Sequence, residues 1–170
     1  MEISSGILVY RIKNNILQVF LGKCGGPAWA NRNKGAWNIP KGHVENEENI
    51  FETAKREFFE ETSLEIKNKS VNDYLYLGET ATKARKKVHV YAIEYNFDPI
   101  DFSDIIMIKS NVCETEWPKK SGNIIMIPEL TAGKYMDINI AKDMIFPYQK
   151  IFLTRLEEQL NMNNQNNQEI

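Results

Sequence analysis

Residues 42–64 constrain the fold and chemistry of this chain more than any other stretch. Three of their acids, Glu57, Glu60 and Glu61, are spaced i, i+3, i+4, so on a helix they fall within one arc of about 100°. Like charges at this spacing repel by a few tenths of a kcal/mol per pair, and stability alone would not favour them. The stretch therefore predicts a helix whose acidic edge has a function.

A divalent cation would reverse this repulsion, because magnesium is held by one or two carboxylates together with substrate phosphates. We interpret the acidic edge as a magnesium site that acts on phosphates. The simpler alternative is a Glu-rich helix face that only meets solvent. That alternative is disfavoured because Arg56 lies four residues from both Glu52 and Glu60, and because apolar residues on a neighbouring arc fix where the acids point. These apolar residues are Ile50, Phe51, Ala54 and Phe58.

The stretch resembles the Nudix box, in which a glycine is followed at fixed intervals by Glu, Arg-Glu, a hydrophobic residue, Glu-Glu, glycine and a second hydrophobic residue. The matching residues are Gly42, Glu48, Arg56, Glu57, Phe58, Glu60, Glu61 and Leu64. Ser63 stands where the family usually has a glycine that ends the helix in a left-handed turn. A non-glycine residue enters that turn at a cost of about 1 kcal/mol. The departure puts the turn geometry in question and removes no acid.

The resemblance extends over residues 4–160, and three further segments resemble a bacterial-type subgroup of predicted nucleoside triphosphate pyrophosphohydrolases. These segments are residues 25–30, 35–42 and 110–122. The family implies an α/β fold, an α/β/α sandwich with a mixed β-sheet between helices. It also implies hydrolysis of a pyrophosphate bond in a nucleoside phosphate, which releases a nucleoside monophosphate. The substrate is either of the nucleoside triphosphate type or a nucleoside diphosphate linked to another group.

By the same resemblance, Mg²⁺, or Mn²⁺ in its place, is bound by Glu57, Glu60, Glu61 and the backbone carbonyl of Lys41. Glu48 and Arg56 are expected to orient the box. Such a metal neutralises phosphate oxygens and makes water acidic enough to attack near neutral pH. A general base adds about 10² to 10⁴ in rate, and in this family it is a box glutamate or an acid from a distant loop. The loop candidates are Glu114, Glu116 and Glu129, of which Glu116 is preferred because it lies in a subgroup segment.

Substrate contacts are less well defined by the sequence. Lys41, Arg85 and Lys120 are candidates for binding phosphate. Trp117, like Trp29, could stack on a base, whereas Trp37 is expected in the core. Two alternatives stay open, a dinucleoside polyphosphate hydrolase and a non-catalytic nucleotide-binding module. The first lacks its usual downstream tyrosine in residues 77–82, and the second is disfavoured because every box acid is present.

Composition sets the remaining expectations. The length of 170 residues predicts one domain over residues 1–160, followed by a disordered Asn/Gln-rich tail at 161–170. The net charge of −2 gives no reason to expect bulk nucleic acid as a partner. Two isolated cysteines favour a reducing compartment. Without a span-length apolar run or a secretory start, we expect a cytoplasmic protein with no membrane partner. The oligomeric state is not determined.

The hydrophobic pattern predicts alternating strands and helices. Strands are expected at residues 7–12, 16–21, 74–77, 87–95 and 124–127, and helices at 49–63, 138–145 and 147–160. Residues 97–120 are expected to form a loop or insertion with a short apolar segment at 105–108.

Overall fold

A mixed β-sheet lies between two layers of helices in the computed structural model, which describes residues 1–168. The strands are β1 (Ile3–Lys13), β2 (Ile16–Cys24), β3 (Trp37–Asn38), β4 (Lys41–His43), β5 (Leu75–Ala81), β6 (Lys87–Glu94), β7 (Ile105–Ile106), β8 (Val112–Glu116), β9 (Ile124–Pro128) and β10 (Leu130–Asp137). The helices are α1 (Ile50–Thr62), α2 (Ile138–Met144) and α3 (Lys150–Gln168), with short 3₁₀ turns at Val71–Asp73 and Pro147–Gln149. The predicted α/β/α sandwich is confirmed.

The main sheet has the strand order β5-β6-β1-β2-β10-β7. Strands β1 and β6 run parallel, and the other pairs along this path are antiparallel. Side chains alternate between the two faces of the sheet. On β1, Ile7 and Val9 therefore pack in the core beside α1, whereas Leu8 and Tyr10 pack in the core beside α2 and α3.

The partner of β1 changes along its length. Its last residues, from Tyr10 to Lys13, pair with β2, whereas Ser4 to Gly6 pair with β4. Both partners lie on the same edge of β1, because the other edge is occupied by β6. The sheet therefore divides along this edge of β1, between Gly6 and Tyr10. Strand β4 lies on one side of the division, and β2 with its partner β3 lies on the other. This division opens a cleft beside the second half of α1.

Strands β8 and β9 form a separate hairpin, with Cys113 opposite Ile127 and Glu116 opposite Ile124. The expectation that residues 97–120 form a loop was incomplete, because they contain β7 and β8. Strand β10 was not predicted. Its apolar residues are interrupted by Gly133 and Lys134, and its position between β2 and β7 makes it a strand.

The C-terminal helix is longer than the sequence predicts. Helix α3 continues to Gln168 and so includes residues 161–168, where the sequence predicts a disordered tail. Each residue added to an existing helix gains one backbone hydrogen bond, which allows a polar stretch to continue it. Residues 169–170 of the expected tail lie outside the described residues. Within residues 1–168, no helix is long and apolar enough to cross a membrane.

Candidate active site

Helix α1 carries the acidic edge, and its two ends are fixed by side chains. The Oδ1 of Asn49 accepts a hydrogen bond from the Glu52 backbone N–H at 2.9 Å, which caps the first turn. Ala54 and Phe58 are buried against the sheet. This packing fixes the rotation of the helix, so Glu57 and Glu61 are 7% and 4% exposed and Glu60 lies at the rim.

Arg56 links the acids of the box. Its guanidinium donates to Glu48 at 3.0 and 3.1 Å, to Glu57 at 2.8 Å and to Glu60 at 3.1 Å. It also donates to the backbone carbonyl of His43 at 2.9 Å, which attaches α1 to the end of β4. The bonds from Arg56, together with one from the Thr53 hydroxyl, lower the pKa of Glu48 to about 2. Glu48 therefore stays ionised and holds the guanidinium in place.

Glu57 and Glu61 are unusual because they are acids in a buried environment. Burial raises the pKa of Glu57, although Arg56 opposes the shift. Burial and the close approach of Glu129 raise the pKa of Glu61 well above its ordinary value, although Lys41 opposes the shift. Carboxylates crowded together in this way favour binding of a cation, because a cation stabilises their ionised forms.

The strand register directs the backbone of Lys41 at α1. Its N–H donates to Glu61 Oε2 at 3.2 Å and does not pair with β1. The N–H and C=O of a strand residue point to the same side, so the carbonyl of Lys41 also faces away from β1. Burial lowers the pKa of the Lys41 amine, but Tyr148, Glu61, Cys24 and Glu129 outweigh that effect, and the pKa is raised. The amine therefore carries a positive charge among these groups.

Gly42 leaves space for one of the acids. A Cβ built at this position would overlap the carboxylate of Glu57. The fixed glycine of the box thus has a local cause, since any side chain there would displace Glu57.

These residues line a cleft of about 520 Å³. The acids that line it are Glu45, Glu57, Glu60, Glu61 and Glu129, and the basic residues are Lys41 and His43. Its other lining residues are Ser4, Cys24, Gly25, Trp29, Asn38, Gly42, Asn111, Cys113, Ile127, Leu130 and Phe146. Helix α1, strand β4 and the junction between β9 and β10 therefore converge on one site.

Glu129, and not Glu116, is the loop acid that reaches the cleft. Glu116 is exposed near the tip of the β8–β9 hairpin, where its Oε1 accepts a hydrogen bond from the Gly122 N–H at 2.9 Å. The hairpin carries Glu116, the preferred candidate, away from the cleft lining, whereas Glu129 follows the returning strand. Glu114 is also exposed, on β8.

Three of the five proposed substrate contacts do not line the cleft. Trp117 and Lys120 belong to the hairpin tip, and Arg85 is exposed in the turn between β5 and β6. Lys41 and Trp29 do line the cleft. Sequence reasoning did not single out Asn111, although it lies in the subgroup segment 110–122, and it missed Phe146, which no motif marks. They reach the cleft only through the fold.

Ser63 adopts the left-handed conformation of the glycine it replaces, with φ 58° and ψ 20°. Its backbone N–H closes the helix on the Phe59 carbonyl at 2.7 Å. Its hydroxyl donates to the Lys109 carbonyl at 2.6 Å, a contact that glycine could not make. The side chain therefore ties the end of α1 to the segment that leads to Asn111.

Because of this contact, Ser63→Ala and Ser63→Gly are expected to differ in stability. Alanine keeps the left-handed strain and loses the hydrogen bond, so unfolding should cost about 1 kcal/mol less than in the native chain. Glycine loses the same bond and relieves about 1 kcal/mol of strain, so it should match the native chain. Urea unfolding of the three proteins measures this, and native stability in the alanine variant would show that the hydroxyl contributes nothing.

The donor set fits a hard divalent cation. Glu57, Glu60, Glu61 and the Lys41 carbonyl offer oxygen ligands, which Mg²⁺ prefers. The carboxylate of the buried Glu61, crowded by that of Glu129, is the feature that such a cation would stabilise. Within residues 1–168, no three acidic, histidine or cysteine side chains are grouped closely enough to form a metal cluster by themselves. Glu57 and Glu60 instead bond to Arg56.

Comparisons with known proteins agree with this geometry. The chain has the fold of an Ap4A hydrolase from C. elegans in a binary complex, with 16% identity, a TM-score of 0.59, and coverage of 95% of this chain and 98% of that one. It also has the fold of the NUDIX domain of Shewanella oneidensis NrtR complexed with ADP ribose, with 11% identity, a TM-score of 0.58, and coverage of 93% and 87%. It also has the fold of a mutT/nudix family protein from Listeria innocua, with 15% identity, a TM-score of 0.57, and coverage of 95% of both chains.

No curated protein matches the sequence significantly. A family model described as the NUDIX domain matches residues 3–117, more than half of the chain. The matched region includes the box and the segment up to Trp117. The chain therefore belongs to the Nudix family of hydrolases, which cleave pyrophosphate bonds in nucleotides.

Proposed function

We propose that this chain is a Mg²⁺-dependent pyrophosphohydrolase that cleaves a nucleoside triphosphate, or a nucleoside diphosphate linked to another group, and releases a nucleoside monophosphate. Mn²⁺ would serve in place of Mg²⁺. The observation that carries the proposal is the convergence of Glu57, Glu60 and Glu61 with Glu129 and Lys41 on one cleft. An acidic cleft of this kind binds a negatively charged substrate only together with cations.

The chemistry depends on the charge of the substrate. A bound divalent cation would neutralise the phosphate oxygens and lower the pKa of the attacking water. Glu57, Glu60, Glu61 and the Lys41 carbonyl would hold it. Glu48 and Arg56 would keep the carboxylates in position, and loss of such support typically weakens a metal site about ten- to a hundredfold.

Glu129 is the proposed general base. Its carboxylate lies beside Glu61, and its own backbone is fixed, since its N–H donates to the Asn111 carbonyl at 3.0 Å and its carbonyl accepts from the Gly25 N–H at 2.9 Å. A base held in this way can take the proton of the attacking water. The amine of Lys41, on the same cleft, would bind a phosphate oxygen and stabilise the leaving group.

The chain offers a matched test of the base, because Glu116 and Glu129 lie in the same region of the sequence and differ in access to the cleft. Glu129→Gln should lower kcat by about 10² to 10⁴, whereas Glu116→Gln should leave it unchanged. The assay uses Mg²⁺ with nucleoside triphosphates, diadenosine polyphosphates, ADP-ribose and nucleotide sugars, and identifies the products. An equal effect of the two substitutions would contradict the role of Glu129.

Three controls complete the assay. EDTA should stop the reaction, and Mg²⁺ or Mn²⁺ should restore it. Hydrolysis in ¹⁸O-water, followed by mass spectrometry of both products, identifies which phosphorus is attacked. Nucleotide binding without turnover would favour the non-catalytic module, and exclusive cleavage of diadenosine polyphosphates would favour the alternative enzyme.

A further inference from the structure

The cleft lining contains two chemically different groups of side chains. The acidic part comprises the acids of α1 and Glu129, with the amine of Lys41 beside Glu61 and Glu129. The apolar part comprises side chains that the proposed reaction does not use, namely Trp29, Phe146, Ile127 and Leu130. An apolar region continuous with a charged one suits a ligand that has both an aromatic and an ionic part.

Trp29 lies in a short loop whose backbone is well fixed. Its N–H donates to the Gly26 carbonyl at 3.2 Å, and its own carbonyl accepts from the Arg32 N–H at 3.0 Å and from the Lys23 Nζ at 2.8 Å. Its ring lies 5.1 Å from that of Phe146, centroid to centroid, with the planes at 53°. The two rings therefore support each other at the wall of the cleft.

These two rings do not belong to the protein core. Trp29 and Phe146 are half-buried and lie outside both hydrophobic cores, whereas Trp37 is in the core. The wall near them is completed by β9, because Ile127 packs closely on Gly26, where a Cβ would come within 2.7 Å of its Cδ1. Large aromatic surface kept at the edge of a cleft provides a stacking surface for a planar ligand.

The charges of the cleft restrict the ligand further. Its lining contains five glutamates against Lys41 and His43. A compact ligand bearing many phosphates on a non-aromatic ring would need a cluster of basic residues, and the lining does not supply one. A single phosphate chain neutralised by metal at the acidic part, with one planar group at the apolar part, matches both groups of side chains.

We propose that Trp29 and Phe146 form the nucleobase subsite, with the base stacked on the Trp29 ring. This inference rests on the proposed function, because it takes the acidic part of the lining as the phosphate subsite. Stacking contributes to affinity whichever base is present. The subsite therefore selects nucleotides over inorganic polyphosphates and over phosphorylated compounds without a base.

A binding experiment isolates the contribution of the base. Isothermal titration with Mg²⁺ compares AMP, GMP, CMP and UMP with ribose 5-phosphate, which has the same sugar and phosphate without a base. The native protein should bind the nucleotides about 5- to 150-fold more tightly than ribose 5-phosphate. Trp29→Ala should reduce that ratio to near one and leave ribose 5-phosphate affinity unchanged, whereas Trp29→Phe should keep most of it.

Two further variants make the test specific. Phe146→Ala should lower the ratio in the same direction, because it removes the support of the Trp29 ring. Trp117→Ala removes an equivalent side chain outside the cleft lining and should leave the ratio unchanged. An unchanged ratio in Trp29→Ala would overturn the subsite, and so would an equal loss of affinity for the nucleotides and for ribose 5-phosphate.

The same titration separates this inference from the proposed function, since it requires no turnover. If the protein hydrolyses nucleotides but the ratio of nucleotide to ribose 5-phosphate affinity does not depend on Trp29, the proposed function stands and the subsite is wrong. If that ratio depends on Trp29 but no metal-dependent hydrolysis occurs, the subsite stands and the proposed function is wrong. In an active enzyme, Trp29→Ala should raise KM and leave kcat close to the native value.

Discussion

Glu60→Gln is expected to abolish Mg²⁺-dependent turnover and to leave the fold intact. Glu60 lies at the rim of the cleft with its side chain 42% exposed, and its hydrogen bond is to Arg56 at 3.1 Å. Glutamine has the same shape and lacks the negative charge that a hard cation requires. Weaker metal binding removes charge neutralisation worth several kcal/mol in the transition state, so kcat/KM should fall by about 10³-fold or more.

The free energy of unfolding of Glu60→Gln should differ little from that of the native chain, because an exposed ion pair with Arg56 contributes only about 0–1 kcal/mol. Glu52→Gln provides the matched control, since Glu52 is an exposed acid on the same helix that pairs with Lys55. It should retain full activity. Undiminished turnover in Glu60→Gln would eliminate the assignment of this metal site.

Gly42→Ala is expected to cause a comparable loss by a steric route. The added methyl group would occupy the space of the Glu57 carboxylate, so that side chain must move. The backbone at Gly42 is outside the left-handed region, and alanine can adopt it without strain. Because the displaced atoms are the end of a flexible side chain, we expect a change in unfolding free energy of about 1 kcal/mol or less, with activity reduced by about 10²-fold or more.

A double-mutant cycle tests this mechanism. Glu57→Asp shortens the side chain by one methylene and withdraws the carboxylate from the position that the new methyl group would fill. The losses from Gly42→Ala and Glu57→Asp should therefore not add, and the double variant should be about as active as Glu57→Asp alone. Metal affinity, measured by Mn²⁺ titration, should follow the same pattern. Strict additivity would show that the two positions act independently.

The sequence predicts well those features that depend on local spacing. The limits of α1 and its acidic edge follow from residues a few positions apart, which share one helix face whatever the rest of the chain does. Strands β1 and β2 follow in the same way from the hydrophobic pattern at residues 7–12 and 16–21. Strand β10 was not predicted because it has no strong alternating pattern of its own. It is a strand because it pairs with β2 and β7.

The differences between the predicted site residues and the observed cleft lining have a common physical origin. Glu116 and Glu129 are both acids downstream of the box, and spacing cannot tell which of them returns to the helix. The outcome depends on the β8–β9 hairpin, whose register places Glu116 near the tip and Glu129 beyond the base. Phe146 reaches the cleft from the turn between α2 and α3, more than 80 residues after α1, so only the assembled fold brings it there.

The position of Glu129 relative to α1 is fixed by main-chain bonds through one residue. The Asn111 N–H donates to the Glu60 carbonyl at 2.9 Å, and the Asn111 carbonyl accepts from the Glu129 N–H. Both ends of the β8–β9 hairpin are therefore held at its base, independently of the strands beyond. Insertions or deletions at the hairpin tip should be tolerated across relatives without moving the acid, whereas a single-residue deletion between Lys109 and Asn111 would shift it out of register with the helix.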